Sequence, residues 1–287
     1  MQTDLTKKLQ KRFDRLKSNR QNWESHWQEV ADYMQPRKAD VTKTRSKGDK
    51  RTELVFDSSP MQAVELLAAS LHGMLTNPAT PWFSLKFKGL DLEGDDDAKA
   101  WLEQATEIMY TAFNRSNFQQ EIFELYHDLI TFGTAAMFVE EDEEDVLKFS
   151  TRHINEMYIS ENDKGRIDTI FRKFKLTARA AIQKFGADVS TNIVTTSRKD
   201  PYEEVDIIHA VYPRSDFDPR KQDKENMPFE SVYFEAGTGD ELSVSGFREF
   251  PFVVPRYLKA SHEIYGRSPA MTALPDVKML NEMSKTT

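Results

Sequence analysis

The sequence predicts an α+β fold, because the spacing of its apolar residues changes twice along the chain. Up to residue 133, apolar side chains recur at intervals of three to four, as on the buried face of a helix. From there to residue 258 they alternate with polar side chains in short runs separated by turns, which is the pattern of β-strands. Helical spacing then returns. We therefore expect helices, a β-rich part and a further helix.

These changes divide the chain into four parts. We expect a long helix and a basic loop in residues 1–56, and a helical core in residues 57–133. A β-rich part should follow in residues 134–258, and the start of another helix in residues 259–287. A chain of 287 residues can bury two ordinary cores, or one elongated module with a long insertion.

The composition is polar and acidic, with 39% hydrophobic residues, a net charge of -8 and a mean hydropathy of -0.64. No apolar run approaches the roughly 20 residues of a membrane span, and the N-terminus lacks the apolar core of a signal peptide. We expect neither membrane crossing nor secretion. The absence of cysteine excludes disulfides and thiol chemistry. The negative charge predicts that any contact with DNA is loose or local.

The first part contains an apolar stripe that predicts one long helix, or two nearly collinear ones, ending before Pro36. Arg20 falls on the stripe, so a break near residues 18–20 is the second possibility. Two tryptophans on the stripe, Trp23 and Trp27, form a candidate face for docking on another domain or on a partner. The stripe comprises Leu9, Phe13, Leu16, Trp23, Trp27, Val30 and Met34.

Residues 37–51 carry seven basic and two acidic side chains, which predicts a mobile basic loop. We favour a solvated loop that balances local charge. The alternative is a loop that contacts phosphates or an acidic partner surface.

A wide apolar face predicts that the helix of residues 59–76 lies deep in the core. Ser59 and Gln62 have the spacing of a capping box, and Pro60 suits the first helical turn. The alternation in residues 82–88 predicts a strand that packs with this helix.

The next segment, residues 97–133, predicts a helical hairpin. Three aspartates, Asp95 to Asp97, suit the positive end of its first helix. A four-residue turn follows, and Gly133 ends the second helix.

Seven short segments of the β-rich part predict strands, and the amphipathic residues 177–186 predict one helix between them. The acidic run of residues 140–146 lacks the fixed ligand spacing of a calcium loop. We interpret it as a solvated hairpin.

No set of residues is complete enough to catalyse a reaction or to hold a cofactor or metal. Asp216 and Asp218 lie two apart in an expected strand, the minimum of a two-carboxylate magnesium site, but no phosphate loop accompanies them. His72 has no second ligand at metal-binding spacing, so we interpret it as structural. We predict no enzyme. The alternative is a metal-dependent nucleic-acid-processing enzyme.

The last segment predicts a helix that has a defined start and no C-cap signal. Ser268 can cap it, Pro269 suits its first position, and Pro275 predicts a kink or a restart. Lys278 and Lys285 share a polar face. An apolar stripe opposite this face includes Leu274, Val277 and Leu280.

Three segments, taken in order, are specific in combination. The first, residues 57–85, begins at Asp57 and continues SSPMQAVELLAASLHGMLTNPATPWFSL. The second ends LITFGTAAMFVEED at residues 129–142. The third is FVVPRYLKASHEIYGRSPAMTALPDVKMLNEM at residues 252–283. Together they resemble the head-to-tail connector, or portal, proteins of short-tailed bacteriophages.

The resemblance implies a portal-like fold, with a helical N-terminal wing, a β-rich insertion and a stem helix that starts after the YGRSPAM segment. It further implies a dodecameric ring through which double-stranded DNA is packaged and ejected. The implied partners are the terminase, capsid or scaffold proteins and tail adaptors. Such a protein is part of the virion and is assembled in the host cytoplasm.

The resemblance also gives the terminal helix a role. Its apolar stripe of Leu274, Val277 and Leu280 becomes a candidate subunit interface, and Lys278 and Lys285 become candidate DNA contacts in the channel. Portal chains continue beyond the first stem helix, so we expect that these 287 residues alone do not close a stable ring. An adaptor or scaffold that uses Trp23 and Trp27 is a further alternative.

Overall fold

The computed structural model describes residues 3–44, 46, 48–87, 95–221, 223 and 226–286. It confirms the α+β class. The helices are α1 (Asp4–Met34), α2 (Ser59–Leu75), α3 (Asp96–Arg115), α4 (Phe118–Phe132), α5 (Ala178–Phe185), α6 (Thr191–Lys199) and α7 (Pro269–Thr286). The strands are β1 (Ala136–Asp142), β2 (Val146–Arg152), β3 (Met157–Glu161), β4 (Ile167–Thr177), β5 (Glu204–Pro213), β6 (Phe229–Glu235), β7 (Glu241–Phe247) and β8 (Phe252–Val253).

The chain folds into two compact units, and each combines segments that are distant in sequence. The β unit consists of Met1–His26 and Asn155–Pro251, and the helical unit consists of Trp27–Ile154 and Phe252–Thr287. The first part of α1 therefore belongs to the β unit and its last part to the helical unit.

An antiparallel sheet of five strands, in the order β3-β4-β5-β6-β7, forms the centre of the β unit. Alternating residues supply its two faces. One face packs against the α1 stripe around Leu9 and Phe13, and the other against α5 and α6 around Phe185 and Ile193. Both faces of the sheet are thus used within this unit.

Arg20 does not break α1, which is continuous from Asp4 to Met34. Its guanidinium lies over the Tyr158 ring, 3.7 Å from the ring centre, and donates to the carbonyl oxygens of Met157 (2.7 Å) and Asn155 (2.9 Å). It also pairs with Glu24. A buried cation needs such partners, and these keep Arg20 on the apolar stripe without interrupting the helix.

The helical unit is built around α4, which packs against α2 and the sheet β2-β1-β8. The acidic run forms the predicted β1–β2 hairpin, and Asp142 accepts the amides of Glu144 and Asp145 in its turn. The predicted hairpin of α3 and α4 is also confirmed. Gly133 ends α4 in the left-handed conformation, at a φ of 76°.

The expectation of a deeply buried α2 is wrong. Only a narrow side of the helix is covered, while Leu66 and Met74 are 71% and 82% exposed. Leu67 is half-buried. The sequence shows an apolar surface nearly all round α2, but α4 covers just one side of it. The predicted capping box is also absent, because Asp57 accepts the Ser59 amide (2.8 Å) at the helix start.

The strand predicted at 82–88 is not formed over its described residues, 82–87. The Tyr110 hydroxyl of α3 accepts the amides of Trp82 (2.5 Å) and Phe83 (2.7 Å), so side chains replace a neighbouring strand. Further along, the sequence reading missed β3 and α6. The predicted strand at the end of the β-rich part is reduced to the two residues of β8.

The first half of the basic loop is hydrogen-bonded to α1. The Gln28 side-chain oxygen accepts the amides of Val41 (3.0 Å) and Thr42 (2.9 Å), and its nitrogen donates to the Ala39 carbonyl (2.6 Å). Arg45 and Lys47 of the loop lie outside the described residues. Among the helices of the described chain, none has the length and apolar character needed to cross a membrane.

Candidate functional site

The segment that leads into α7 crosses the end of α4 at two glycines. A Cβ atom on Gly133 would overlap the Gly266 carbonyl, and one on Gly266 would overlap the Gly133 carbonyl. Two backbones can approach this closely only where both lack side chains. Gly133 and Gly266 belong to two of the three segments that carry the resemblance, and the crossing brings these two segments together.

Hydroxyl groups then lock the crossing. Thr134 accepts the Gly266 amide (2.7 Å) through its side chain. Ser268 donates its hydroxyl to the Thr131 carbonyl (2.9 Å) and accepts the Met271 amide (2.9 Å), so it caps α7 as predicted. The origin of α7 is thereby fixed to the end of α4.

Trp27 closes one side of the crossing. Its indole is fully buried, donates to the Phe132 carbonyl (3.1 Å) and meets the Tyr265 ring edge-on, with the ring centres 5.0 Å apart. Trp23 is half-buried. Trp27 therefore stabilises the helical unit from within, and the partner face of Trp23 and Trp27 stays a prediction.

A buried ion pair supports the same end of α4. Asp128 is fully enclosed, and Lys38 bonds to it and to Glu124, each at 2.7 Å. Burial raises the pKa of the Asp128 carboxyl, although Lys38 acts in the opposite direction. The pKa of Lys38 is also raised, because the two carboxylates outweigh the lowering effect of its own burial. We infer that Asp128 and Lys38 form a charged pair. Without Lys38, burial of the Asp128 carboxylate would destabilise the fold.

The predicted site residues of α7 divide between its two sides. Leu274 is buried with Ala270 and Met271, Val277 is half-buried, and Leu280 is exposed. Pro275 lies inside the helix, which continues to Thr286. Three apolar side chains on one side of α7 are exposed, and we call them the α7 apolar face: Met279 (62%), Leu280 (41%) and Met283 (60%).

The two lysines of α7 differ in their surroundings. Lys278 pairs with Glu29 of the helical unit, and this bond raises the pKa of Lys278. Lys285 is exposed, lies 3.7 Å from Glu282 and approaches the Phe56 ring at 5.5 Å. Lys278 thus helps to dock α7, and Lys285 keeps the more accessible charge.

Asn281 is a docking residue that sequence reasoning missed. It is buried, its side-chain oxygen accepts the amides of Phe56 (2.7 Å) and Asp57 (3.2 Å), and its nitrogen donates to Leu54 (2.9 Å). One signal was available, because Asn281 lies seven residues after Leu274 on the same helix side. A polar residue at that position indicates a buried polar contact.

The carboxylates considered for a metal are engaged elsewhere. Asp216 and Asp218 lie in a turn after β5, not in a strand. Asp218 forms two bonds with Arg220, which lower the pKa of its carboxyl, and Asp216 lies 3.7 Å from Arg214. His72 bonds to Gln119 (2.8 Å), as expected of a structural histidine. No group of three or more metal-ligating side chains occurs within the described ranges.

The close glycine crossing, with its hydroxyl groups, thus fixes the start of one helix of the helical unit, α7. Residues 6–287 match the family model described as Bacteriophage head to tail connecting protein. The probable portal protein of Bordetella phage BPP-1 is 36% identical over 279 residues, which are 96% of this chain and 50% of that protein. The portal protein of Salmonella phage epsilon15 is 35% identical over 284 residues, 97% of this chain and 51% of that protein.

The chain belongs to the bacteriophage head-to-tail connecting family. It spans about half the length of the two curated portal proteins that it matches.

Proposed function

We propose that the chain is a structural subunit of a phage portal, the ring through which double-stranded DNA enters and leaves the head and to which the tail attaches. The family match over residues 6–287 carries this proposal, together with two portal relatives that align with nearly the whole chain. The proposed location is the virion, after assembly in the host cytoplasm. Terminase, capsid or scaffold proteins and tail adaptors are the proposed partners.

The construction of α7 supports a role in assembly. Two glycines, a capping serine and Asn281 hold the helix in place, while the α7 apolar face is exposed. We propose that this face packs against a neighbouring subunit, because exposed apolar patches on a rigid helix are typical of interaction surfaces. It stays a prediction that these 287 residues alone do not close a stable ring.

DNA contact inside a channel is proposed for Lys285 in preference to Lys278. Lys278 already pairs with Glu29, whereas Lys285 has one acidic neighbour, Glu282, on its own helix. The enzyme alternative receives no support, because Asp216 and Asp218 are both engaged by arginines.

Crosslinking from α7 tests the proposed assembly. The chain has no cysteine, so Leu280→Cys introduces a unique thiol for a reagent that joins a thiol to a nearby amine. Rings need a heterologous contact, which repeats from copy to copy, whereas an isologous contact stops at a dimer. We expect a ladder of covalent species beyond the dimer. Tyr202→Cys, exposed in the β unit, is the matched control and should give little product.

Only dimers, or equal ladders from both thiols, would contradict a heterologous contact at the α7 apolar face.

A further inference from the structure

The exposed side of α1 within the β unit is strongly basic. Residues 7–19 carry six basic side chains and one acidic side chain, in a chain with 39 basic and 47 acidic residues. All six basic residues are exposed: Lys7, Lys8, Lys11, Arg12, Arg15 and Lys17. This segment is therefore strongly positive, although the chain as a whole is negatively charged.

Helix geometry gathers four of these cations into one strip. With 3.6 residues per turn, Lys7, Lys8, Lys11 and Arg15 fall within an arc of about 100°, opposite the buried stripe of α1. They span about 12 Å along the helix axis. We call these four residues the α1 basic face. Packing of α1 against the sheet holds it in a fixed arrangement.

Most of this charge has no acidic partner in the part of the chain that the structure describes. Within the described residues, Lys8, Lys11 and Arg15 have no ion pair, and Lys7 approaches only Asp4, at 3.7 Å between exposed side chains. The one acidic residue of the stretch, Asp14, accepts a bond from Gln10.

The basic loop shows the contrast. Its Lys38, Lys43 and Arg51 pair with acidic side chains of the helical unit. Phosphate contact, which the sequence suggested for the loop, is therefore better supported on α1.

The chemistry of the α1 basic face selects the kind of partner. No large apolar side chain of α1, which the structure describes throughout, is exposed. A protein interface needs an apolar or aromatic centre, and an amphipathic helix needs a free apolar side to enter a membrane. The apolar side of α1 is buried against its own sheet. A phosphate backbone, in contrast, is bound through positive charge alone.

We propose that the α1 basic face binds the phosphate backbone of double-stranded DNA, outside any contact made by α7. The choice of DNA among polyanions rests on the proposed function. The contact reads no sequence, because it offers lysine and arginine to phosphates and no element that enters a groove.

Charge reversal on α1 tests the proposal. The variant Lys8→Glu, Lys11→Glu, Arg15→Glu is compared with Lys164→Glu, Lys199→Glu, Lys221→Glu, which reverses three exposed lysines of the same unit. Binding of a labelled DNA duplex of mixed sequence is followed by fluorescence anisotropy between about 50 and 200 mM salt. We expect the α1 variant to bind at least about tenfold more weakly, and its salt slope to fall by about 2.7. The control should change by less than about twofold.

Equal weakening by both variants, or no binding by the unaltered protein, would overturn the proposal. The proposal would also be overturned if polyglutamate displaced the labelled duplex as effectively as unlabelled DNA of equal charge. The face would then accept an acidic polypeptide. Duplex RNA of equal length reports whether the sugar matters, and tighter binding of RNA would also reject DNA as the partner. Thermal melting checks that both variants fold, and neutral replacements, Lys→Gln and Arg→Gln, serve if either does not.

The failure of this inference is distinguishable from failure of the proposed function. Crosslinked ladders from Leu280→Cys that persist in the α1 variant would show that assembly is independent of the basic face. If Leu280→Cys gives no ladder while charge reversal on α1 still abolishes DNA binding, the α1 basic face is supported and the ring is rejected.

Discussion

At the scale of single residues, Gly133 and Gly266 determine whether α7 can start where it does. The backbone carbonyl of each glycine occupies the space that a side chain on the other glycine would need. The two positions are far apart in sequence, so neither glycine alone indicates the crossing. The sequence predicted the helix stop at Gly133 from local rules, but the close approach became visible only in three dimensions.

We predict that Gly266→Ala destabilises the protein by at least about 2 kcal/mol, since its methyl group would push against backbone atoms that cannot move aside. Gly73→Ala is the matched control. Gly73 lies inside α2 with no atom within 4 Å of an added Cβ, so alanine should stabilise by about 0.5 to 1 kcal/mol. Urea unfolding measures both changes. Equal effects of the two substitutions would show that the crossing is not tightly packed.

The Lys38–Asp128 pair is the second prediction at this scale. Lys38→Met leaves a buried carboxylate without its cation and should cost about 3 to 5 kcal/mol at neutral pH. Burial already raises the folded-state pKa of Asp128, and loss of Lys38 raises it further. The folded variant then binds more protons than the unfolded one between the two pKa values, so its stability should increase as pH falls through that range.

Stability curves at several pH values test this sign. The double variant Lys38→Met, Asp128→Asn removes both charges and should recover more than half of the loss. A deficit in Lys38→Met that stays constant with pH would contradict the assignment to Asp128.

At the scale of elements, α7 depends on Asn281 as much as on its apolar residues. The bonds from Asn281 reach the stretch just before α2, so one side chain joins two elements that are far apart in sequence. An amphipathic helix of this kind obtains most of its stability from packing, and here part of the packing is polar.

We predict that Asn281→Ala costs about 1 to 3 kcal/mol, because it leaves the part-buried amides of Phe56 and Asp57 without this acceptor. Hydrogen exchange should accelerate at Phe56, at Asp57 and in the last two turns of α7. The control Glu282→Ala changes an exposed neighbour and should stay within about 0.5 kcal/mol. Unchanged exchange in Asn281→Ala would mean that the apolar contacts of α7 are sufficient.

Element prediction succeeded where local signals were strong and failed where tertiary contacts decide. The α3–α4 hairpin, the acidic β1–β2 hairpin and the Ser268 cap follow from turn and capping residues, and all three are confirmed. Residues 82–87 alternate as a strand does, yet Tyr110 takes their amides. The apolar content of α2 indicated burial, but no periodicity shows whether the covering surface belongs to the same chain.

At the scale of the whole molecule, the sequence predicted the order of helical and β-rich parts but not how they combine. The first part of α1 belongs to the β unit, and its last part belongs to the helical unit. The sequence left open whether α1 is one helix or two, because Arg20 falls on the apolar stripe. The carbonyl and ring partners from residues 155–158 explain its burial. The candidate site shows the same limit. The sequence shows where α7 starts, whereas the contacts of Asn281 and the glycine crossing are recognised only in the three-dimensional structure.

The central claim is that α7 is held rigidly in order to offer its apolar face to another subunit. Native mass spectrometry over a range of protein concentrations tests this most directly, with the unaltered chain beside Leu280→Ser, Met283→Ser. A control, Tyr202→Ser, Phe217→Ser, removes exposed aromatic groups from the β unit. We predict oligomers larger than dimers for the unaltered chain and the control, and monomers for the α7 variant. Monomers of the unaltered chain at every concentration, or the same oligomers in all three proteins, would contradict the claim.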